Sequence, residues 1–401
     1  MSHVSPCSRL SPLLERTKSE GAEELSEGEE HQEAPFKVGD VLNKRISILG
    51  VLGSGAFGTV YIAWDKQTDA HLAVKVQRAG KKHVQVAQDE ILLLSAVKRG
   101  SETLSKGSDC VVQIVGAFGI PSPHGRQICL ALELLGPSLL DLIIDHSYAG
   151  CPIPMVASVM RDVLAGLDYL HSGCNIVHTD VKPENVLLRL PSSPADWWTE
   201  NREDEAPDGS ASKLRKGWAE QMKGPVRAKL VDLGNSCFAN RPFTQDIQTI
   251  EYRCPEVILG AGFSTSADIW SAACIGFELL TGEYLFDPQV GRDNSGEILY
   301  EKEDDLLALH QELLGTMPPH LALRGTRSPQ FMDEEGKLKR IKSLKFWALE
   351  DVLVEKYGMD REEANEVSSF FLPMLRFDPK ERSTAAEMLE HPWLKKHAGR
   401  L

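Results

Sequence analysis

An acid, a lysine and an amide stand close together in His178-Thr179-Asp180-Val181-Lys182-Pro183-Glu184-Asn185. Asp180 could accept the proton of a substrate hydroxyl, Lys182 could meet charge developing on a transferred phosphoryl group, and Asn185 could ligate magnesium. Asp232, in Asp232-Leu233-Gly234, offers a second magnesium ligand, with the glycine freeing the backbone to turn. Lys75 closes the apolar run Leu72-Ala73-Val74-Lys75. It would be a cation for nucleotide phosphates if a carboxylate held it, and Glu90 in Gln88-Asp89-Glu90-Ile91 could do so. The other reading is an edge-strand lysine that discourages aggregation. Leu52-Gly53-Ser54-Gly55-Ala56-Phe57-Gly58-Thr59-Val60 contains Gly-x-Gly-x-x-Gly-x-Val. A dinucleotide site needs a helix after the third glycine, whereas Thr59-Val60-Tyr61-Ile62-Ala63-Trp64 is strand material. That leaves either a two-stranded flap whose N–H groups approach phosphates or a tight hairpin with no ligand.

The elements that must position these groups run β first, then α. Ile46–Leu52, Thr59–Trp64 and Leu72–Val76 are short, rich in β-branched and aromatic residues, and separated by turn signals. A polar helical segment is expected from His83 to about Lys98, then strand-like runs at Val111–Phe118 and Gln127–Leu132. Beyond Gly136, Val156, Val159, Met160, Val163, Leu164, Leu167 and Leu170 recur at helical spacing. Further helices fit Ala267–Leu280, Asp304–Leu314, Asp360–Phe371 and Ala385–Leu389, and Ala228–Val231 reads as a strand. The expected fold class is α+β and bilobal: a small β-rich lobe with one helix over residues 37–136, then a larger helical lobe over 137–397. Two stretches fall outside it. Residues 1–36 hold eight Glu and no aromatic before Phe36, too little apolar surface to offset ordering entropy, so a disordered acidic tail is expected. A flexible spacer is expected at 189–228, opened by Pro191-Ser192-Ser193-Pro194. The pair Trp197-Trp198 is unusual there and either docks on the body or is carried by a polar loop.

The chain has 401 residues, 44 Lys+Arg and 58 Asp+Glu, for a net charge of −14. Outside the tail and spacer the surplus is still about −9. A general nucleic-acid binder needs a basic footprint, so no direct nucleic-acid partner is expected. No apolar run reaches the roughly 18 residues of a membrane span, and no basic start leads into an apolar stretch at Met1–Leu10. Eight cysteines lie far apart without a Cys-x-x-Cys pair, which argues against zinc ribbons and disulfide scaffolds. These features point to a soluble, reduced, intracellular protein with no membrane partner.

The glycine loop, the strand lysine, the helix glutamate, the Asp180–Asn185 run and Asp232-Leu233-Gly234 occur in the order of the protein-kinase signature. From about residue 37 to 396 the chain resembles a eukaryotic protein kinase. The resemblance implies ATP and Mg²⁺ as cofactors, with Lys75 paired to Glu90, Asp180 as catalytic base beside Lys182, and Asn185 and Asp232 as metal ligands. It implies ATP binding by Leu52, Gly53, Ser54, Gly55, Ala56, Phe57, Gly58, Thr59 and Val60. Ala73 and Leu187 would complete the adenine pocket with Leu52 and Val60, with Glu133 and Leu135 at the hinge behind Leu132 as a small-to-medium gatekeeper. Glu256, in Cys254-Pro255-Glu256, would pair with Arg382, and Asp268 would anchor the catalytic loop.

Departures narrow the resemblance. Thr179 stands where most kinases carry arginine, and Leu233 where they carry Phe. His-Thr-Asp, Asp232-Leu233-Gly234-Asn235 and Gln248-Thr249-Ile250-Glu251-Tyr252-Arg253 resemble the serine/arginine-rich (SR) protein kinases, although Cys254-Pro255 departs from that group. Without that arginine a phospho-switch loses a partner, and the resemblance implies constitutive, monomeric Ser/Thr kinase activity on Arg/Ser-rich splicing factors in cytoplasm and nucleus, and a role in mRNA splicing. It also implies an acidic docking groove at Glu283, Asp305, Glu312 and Lys356. Carboxylates there would take guanidinium groups, preferably as bidentate pairs, and Asp305 and Glu312 would share one helix face. A solvated helical face is the plainer reading of that pair. A kinase of another substrate class, such as the dual-specificity splicing-kinase relatives, and a pseudokinase scaffold are the alternatives.

Overall fold

The computed structural model describes residues 36–55, 58–101, 106–122, 125–190, 193–202, 214–219 and 226–398. The expectations for the acidic tail before Phe36, for Ala56 and Phe57, and for parts of the spacer lie outside these residues.

The first lobe is a six-stranded sheet with one long helix. Its strands are β1 (Val41–Leu42), β2 (Ile46–Gly55), β3 (Gly58–Asp65), β4 (Ala70–Gln77), β5 (Ile114–Ser122) and β6 (Gly125–Glu133), in the order β1-β2-β3-β4-β6-β5. The helix is α1 (Lys81–Ser101). All pairings are antiparallel. Because side chains alternate across a strand, register decides which residues share a face. Val60 lies opposite Lys75, and Ala73 lies between Ile62 and Leu132. Val60, Ala73, Lys75 and Leu132 therefore line one face, turned toward the main core that also holds Ile62 and Leu130. Tyr61, Leu72, Val74, Val76 and Ala131 fill a separate cluster on the other face.

The chain passes into the second lobe through Leu134–Ser138 and enters α2 (Leu139–Asp145), whose N-terminus is closed by a capping box between Ser138 and Asp141. The expected long helix is α3 (Ile153–Asp168), prolonged by a π turn over Tyr169–Gly173. Short strands β7 (Ile176–Val177), β8 (Val186–Arg189), β9 (Arg227–Leu230) and β10 (Cys237–Phe238) carry the segments between them. β8 pairs with β9, and β7 with β10. The C-lobe core is continuous with the inner face of the sheet and includes Val257 and Ile258 of the short helix α5 (Pro255–Ile258) and α6 (Ser266–Thr281), whose side chains are almost all buried. Helices Arg361–Phe371 and Ala385–Leu389 appear within a residue of expectation.

Two expectations shift. The run from Val111 does not begin as a strand: Val111 bridges Leu230 of β9, Val112 N–H donates to Leu230 O at 2.9 Å, and β5 starts only at Ile114. The spacer, expected to be flexible, contains helix α4 (Pro194–Asn201) in its described part, with Trp197 and Trp198 buried. Trp197 packs edge-on against Trp198 and against Trp218. Apolar burial of three indoles outweighs the polar composition of the stretch. The seven described cysteines are free.

Candidate active site

Lys75 and Glu90 meet in the interior of the first lobe. Lys75 Nζ donates to Glu90 Oε1 and Oε2 at 2.9 and 3.0 Å, and to Asp232 Oδ1 at 2.7 Å. Gln77 Nε2 adds a bond to Glu90 Oε2 at 2.8 Å. Burial alone would lower the Lys75 pKa, but the charges of Asp232 and Glu90 outweigh it and raise it. Burial raises the Glu90 pKa while Lys75 pulls it back. Burial also acts to raise Asp232, yet the Lys75 ammonium and the Gly234 N–H hold that carboxyl below its usual range. The cation is thus fixed at the inner end of the cleft, and the edge-strand reading of Lys75 falls away because β4 lies between β3 and β6.

Above it stands the glycine turn between β2 and β3. A Cβ at Gly53 or Gly55 would meet nothing within 4 Å, so the loop backbone borders open space. Gly58 is different: at φ +149° its absent Cβ would sit 2.1 Å from Val76 O, and only glycine allows β3 to lie this close to β4. Ser54 Oγ and Thr59 Oγ1 are 3.1 Å apart across the hairpin. Leu52, Val60, Leu132 and Leu187 are half-buried at the margin of the main core, with Ala73 buried beside them.

The catalytic-loop candidates converge tightly. Asp180 Oδ1 accepts the Thr249 hydroxyl at 2.9 Å. Its Oδ2 lies 3.2 Å from Lys182 Nζ and accepts Asn185 Nδ2 at 3.2 Å. Lys182 Nζ also donates to Thr249 Oγ1 at 3.1 Å, and Asn185 Nδ2 to Asp180 O at 2.8 Å. Thr249 was not singled out from the sequence, although it belongs to the quoted Gln-Thr run. Asp268 holds the loop from below, accepting His178 N–H and Thr179 N–H at 2.8 Å each, with His171 Nε2 also at 2.8 Å. Thr179, Asp232 and Gln248 have φ of 71°, 59° and 68°. Non-glycine residues in this left-handed region each cost about 1–3 kcal/mol and persist only when over-determined. Thr179 is so fixed: its hydroxyl donates to Asn235 O at 2.9 Å and its carbonyl accepts Gln248 N–H at 3.0 Å. The threonine that departs from the common arginine therefore ties the Asp180 loop to the Asp232 loop directly.

Asp232 and Asn185 fit a magnesium site. Asp232 Oδ1 is engaged by Lys75 and Gly234, leaving Oδ2 without a hydrogen bond among the described residues. The Asn185 NH₂ group is turned onto Asp180, which leaves its carbonyl oxygen as the acceptor. One carboxylate and one amide oxygen, completed by phosphates and water, suit a cation that is rarely caged by protein alone.

Glu256 and Arg382 form a buried bidentate pair at 2.7 and 3.0 Å, with the guanidinium 5.1 Å from the Trp270 ring centroid. The four docking candidates separate into two groups. Glu283 pairs with Lys356 and accepts the Tyr357 hydroxyl at 3.0 Å. Asp305 and Glu312 lie on α7 (Lys302–Leu314), where Asp305 accepts Gln289 N–H at 2.9 Å and Glu312 accepts Lys345 N–H at 3.0 Å. Each carboxylate thus also secures its own surroundings, a role the spacing alone did not reveal.

At the hinge, Leu135 O accepts Trp198 Nε1 from α4 at 2.8 Å, and Arg202 donates to Val51 O just before the glycine turn. The Glu133 side chain turns onto Lys229, with Nζ to Oε1 and Oε2 at 2.7 and 2.9 Å. Trp198 belongs to the pair the sequence marked as able to dock on the body, and it does so here; Arg202 and Lys229 were not singled out from the sequence. Among the described residues, no helix is long and apolar enough to cross a membrane.

The protein kinase domain family matches residues 46–394. The serine/threonine-protein kinase SRPK of Physarum polycephalum is 39% identical, covering 94% of this chain and 92% of its own length. SRSF protein kinase 3 of Homo sapiens is 32% identical over 90% of this chain and 88% of its own length. Protein kinase dsk1 of Schizosaccharomyces pombe is 32% identical over 96% and 86%.

Proposed function

We propose, from the premise that this chain belongs to the protein kinase family and within it to the SR protein kinases, that it phosphorylates serines in Arg/Ser-rich splicing factors. It is a serine/threonine protein kinase and uses ATP and magnesium, as protein kinase domains do. The observation that carries the reading is the Asp180 carboxylate, fixed by Thr249, Lys182 and Asn185, within one cleft with the Lys75–Glu90–Asp232 cluster. A serine hydroxyl placed on Asp180 gives up its proton to the carboxylate as its oxygen bonds to the γ-phosphorus and the bond to the β,γ-bridging oxygen breaks. Lys182 meets the equatorial charge, and Lys75, held by Glu90, orients the α- and β-phosphates. Asn185 and Asp232 would hold magnesium, which would supply neutralisation of phosphate charge. Leu52, Val60, Ala73 and Leu187 enclose the adenine beside the hinge of Glu133 and Leu135, with Leu132 as the gatekeeper behind it.

Substrate choice is assigned to the docking set of Glu283, Asp305, Glu312 and Lys356, in which the three carboxylates would receive arginine forks in bidentate pairs and Lys356 holds Glu283 in place; a preference for Arg/Ser-rich proteins agrees with the similarity to SRSF protein kinase 3 of Homo sapiens. A monomer acting in cytoplasm and nucleus, without binding nucleic acid or membrane, is the setting such substrates imply. Transfer should be compared on Arg-Ser repeats, Ser-Pro peptides and serine peptides with isolated upstream arginines. Arg-Ser repeats should be the best substrate by a wide margin. Equal use of all three would remove the docking reading and leave a kinase of another substrate class.

A further inference from the structure

We infer that Lys229 is a positioning residue for adenine recognition, clamping the hinge through Glu133. The inference rests on the nucleotide-site reading above and concerns a residue outside it. Lys229 lies on β9, three positions before Asp232, and its register partner on β8 is Leu187, the proposed adenine floor. Directly opposed residues in an antiparallel pair share a face, so Lys229 and Leu187 project from the same side of the β8–β9 hairpin. The Lys229 side chain is only 7% exposed, and its ammonium grips both oxygens of Glu133, the last residue of β6. Glu133 Oε1 also accepts Gln113 N–H at 2.8 Å, and Glu133 N–H donates to Gln113 O at 3.1 Å. The same segment is joined to β9 by the Val112 N–H bond to Leu230 O. The end of the first-lobe sheet, the crossing segment and the strand leading to Asp232 thus meet at one ion pair.

Such a pair is poor evidence for stability, because removing two charges from water offsets most of their attraction. Its use is geometric: with the carboxylate gripped at both oxygens, the backbone that follows Glu133 is held at one height above Leu187. An apolar pair would fill the same volume without fixing that height. A loosened hinge would weaken contacts to the base and leave contacts to the phosphates, which depend on Lys75, Asp232 and the glycine turn.

The test uses the full chain with Lys229→Met, Lys229→Arg, Glu133→Gln and the Lys229→Met/Glu133→Gln double variant. Binding of MgATP, adenosine and magnesium tripolyphosphate is measured by calorimetry, alongside KM and kcat on an Arg-Ser peptide. Lys229→Met is expected to weaken ATP and adenosine by a similar factor, tenfold or more. Tripolyphosphate binding and peptide KM should stay within about twofold, Lys229→Arg should restore most of the loss, and the double variant should be no worse than Lys229→Met. Equal loss of tripolyphosphate, or unchanged adenosine binding, would overturn the inference. If no peptide is phosphorylated even by the unaltered chain while the adenosine and tripolyphosphate responses still separate, the clamp stands and the proposed function fails.

Discussion

Thr249 sits 69 positions from Asp180 in sequence, yet its hydroxyl holds one oxygen of that carboxylate. Removing it frees Asp180 to rotate away from the incoming serine and takes one acceptor from Lys182, while leaving the Lys75, Asp232 and adenine contacts in place. Thr249→Val should lower kcat by about 100-fold, the scale of an ångström-level misplacement, with KM for ATP little changed and Thr249→Ser largely active. Steady-state kinetics check this, and near-normal kcat for the valine variant would count against it. Asp180, Lys182 and Asn185 were legible because they lie within one short run, and Lys75, Glu90 and Asp232 because their flanking elements are recognisable. Thr249 and Lys229 were not, since each acts through a partner far away in sequence and neither has a periodic signature. A different residue sets acid sensitivity. His310 on α7 is wholly buried, with ring centroids 4.7 Å from Trp270 and 4.5 Å from Phe286, and burial together with Arg382 pushes its pKa well below the ordinary value. The unfolded chain takes up a proton near pH 6.5 that the folded chain refuses, so this contribution to stability is full above that pH. Below it, stability falls by up to about 1.4 kcal/mol per pH unit. His310→Leu should flatten the urea midpoint between about pH 6.5 and 5; an unchanged slope would contradict the assignment.

At the scale of elements, most of the fold follows from period and composition, with strands β2, β3 and β4 and helices α3 and α6 near their expected limits. What failed is α4. Eight residues with Asp, Thr, Glu and Asn among them carry little intrinsic helical stability, and the helix exists because its indoles are buried against the hinge and against Trp218. Propensity and turn signals cannot show a tertiary partner. Trp198→Ala should therefore lower stability by about 3 kcal/mol, the low end for a buried Trp, measurable by denaturant unfolding. A change within a few tenths would mean that α4 contributes no packing. The Glu256–Arg382 pair lies fully inside, and removing one partner strands a charge. Arg382→Met should cost about 3–5 kcal/mol, more than any surface pair in the chain.

For the molecule as a whole, the surplus of acidic side chains matters through where it is placed. Asp305 and Glu312 both hold loop amides, so a reversal at either removes local support as well as charge. With α7 as the docking site proposed above, long Arg-Ser substrates would bridge it and the active site at once and short ones would not, so Asp305→Lys with Glu312→Lys should raise KM for long substrates more than for short ones. Raising ionic strength should narrow the same gap, since exposed charges more than about 8–10 Å apart are screened near physiological salt. Net charge was readable at the outset; the division of the acidic set into a Glu283–Lys356 pair and an α7 pair required the fold. The measurement that bears most directly on phosphoryl transfer from this cleft is single-turnover transfer to an Arg-Ser repeat by Asp180→Asn, beside calorimetric binding of MgATP. The expected result is ATP affinity within a fewfold of the unaltered chain and transfer reduced below detection. Near-normal transfer would show that another group takes the serine proton and that the cleft has been assigned wrongly.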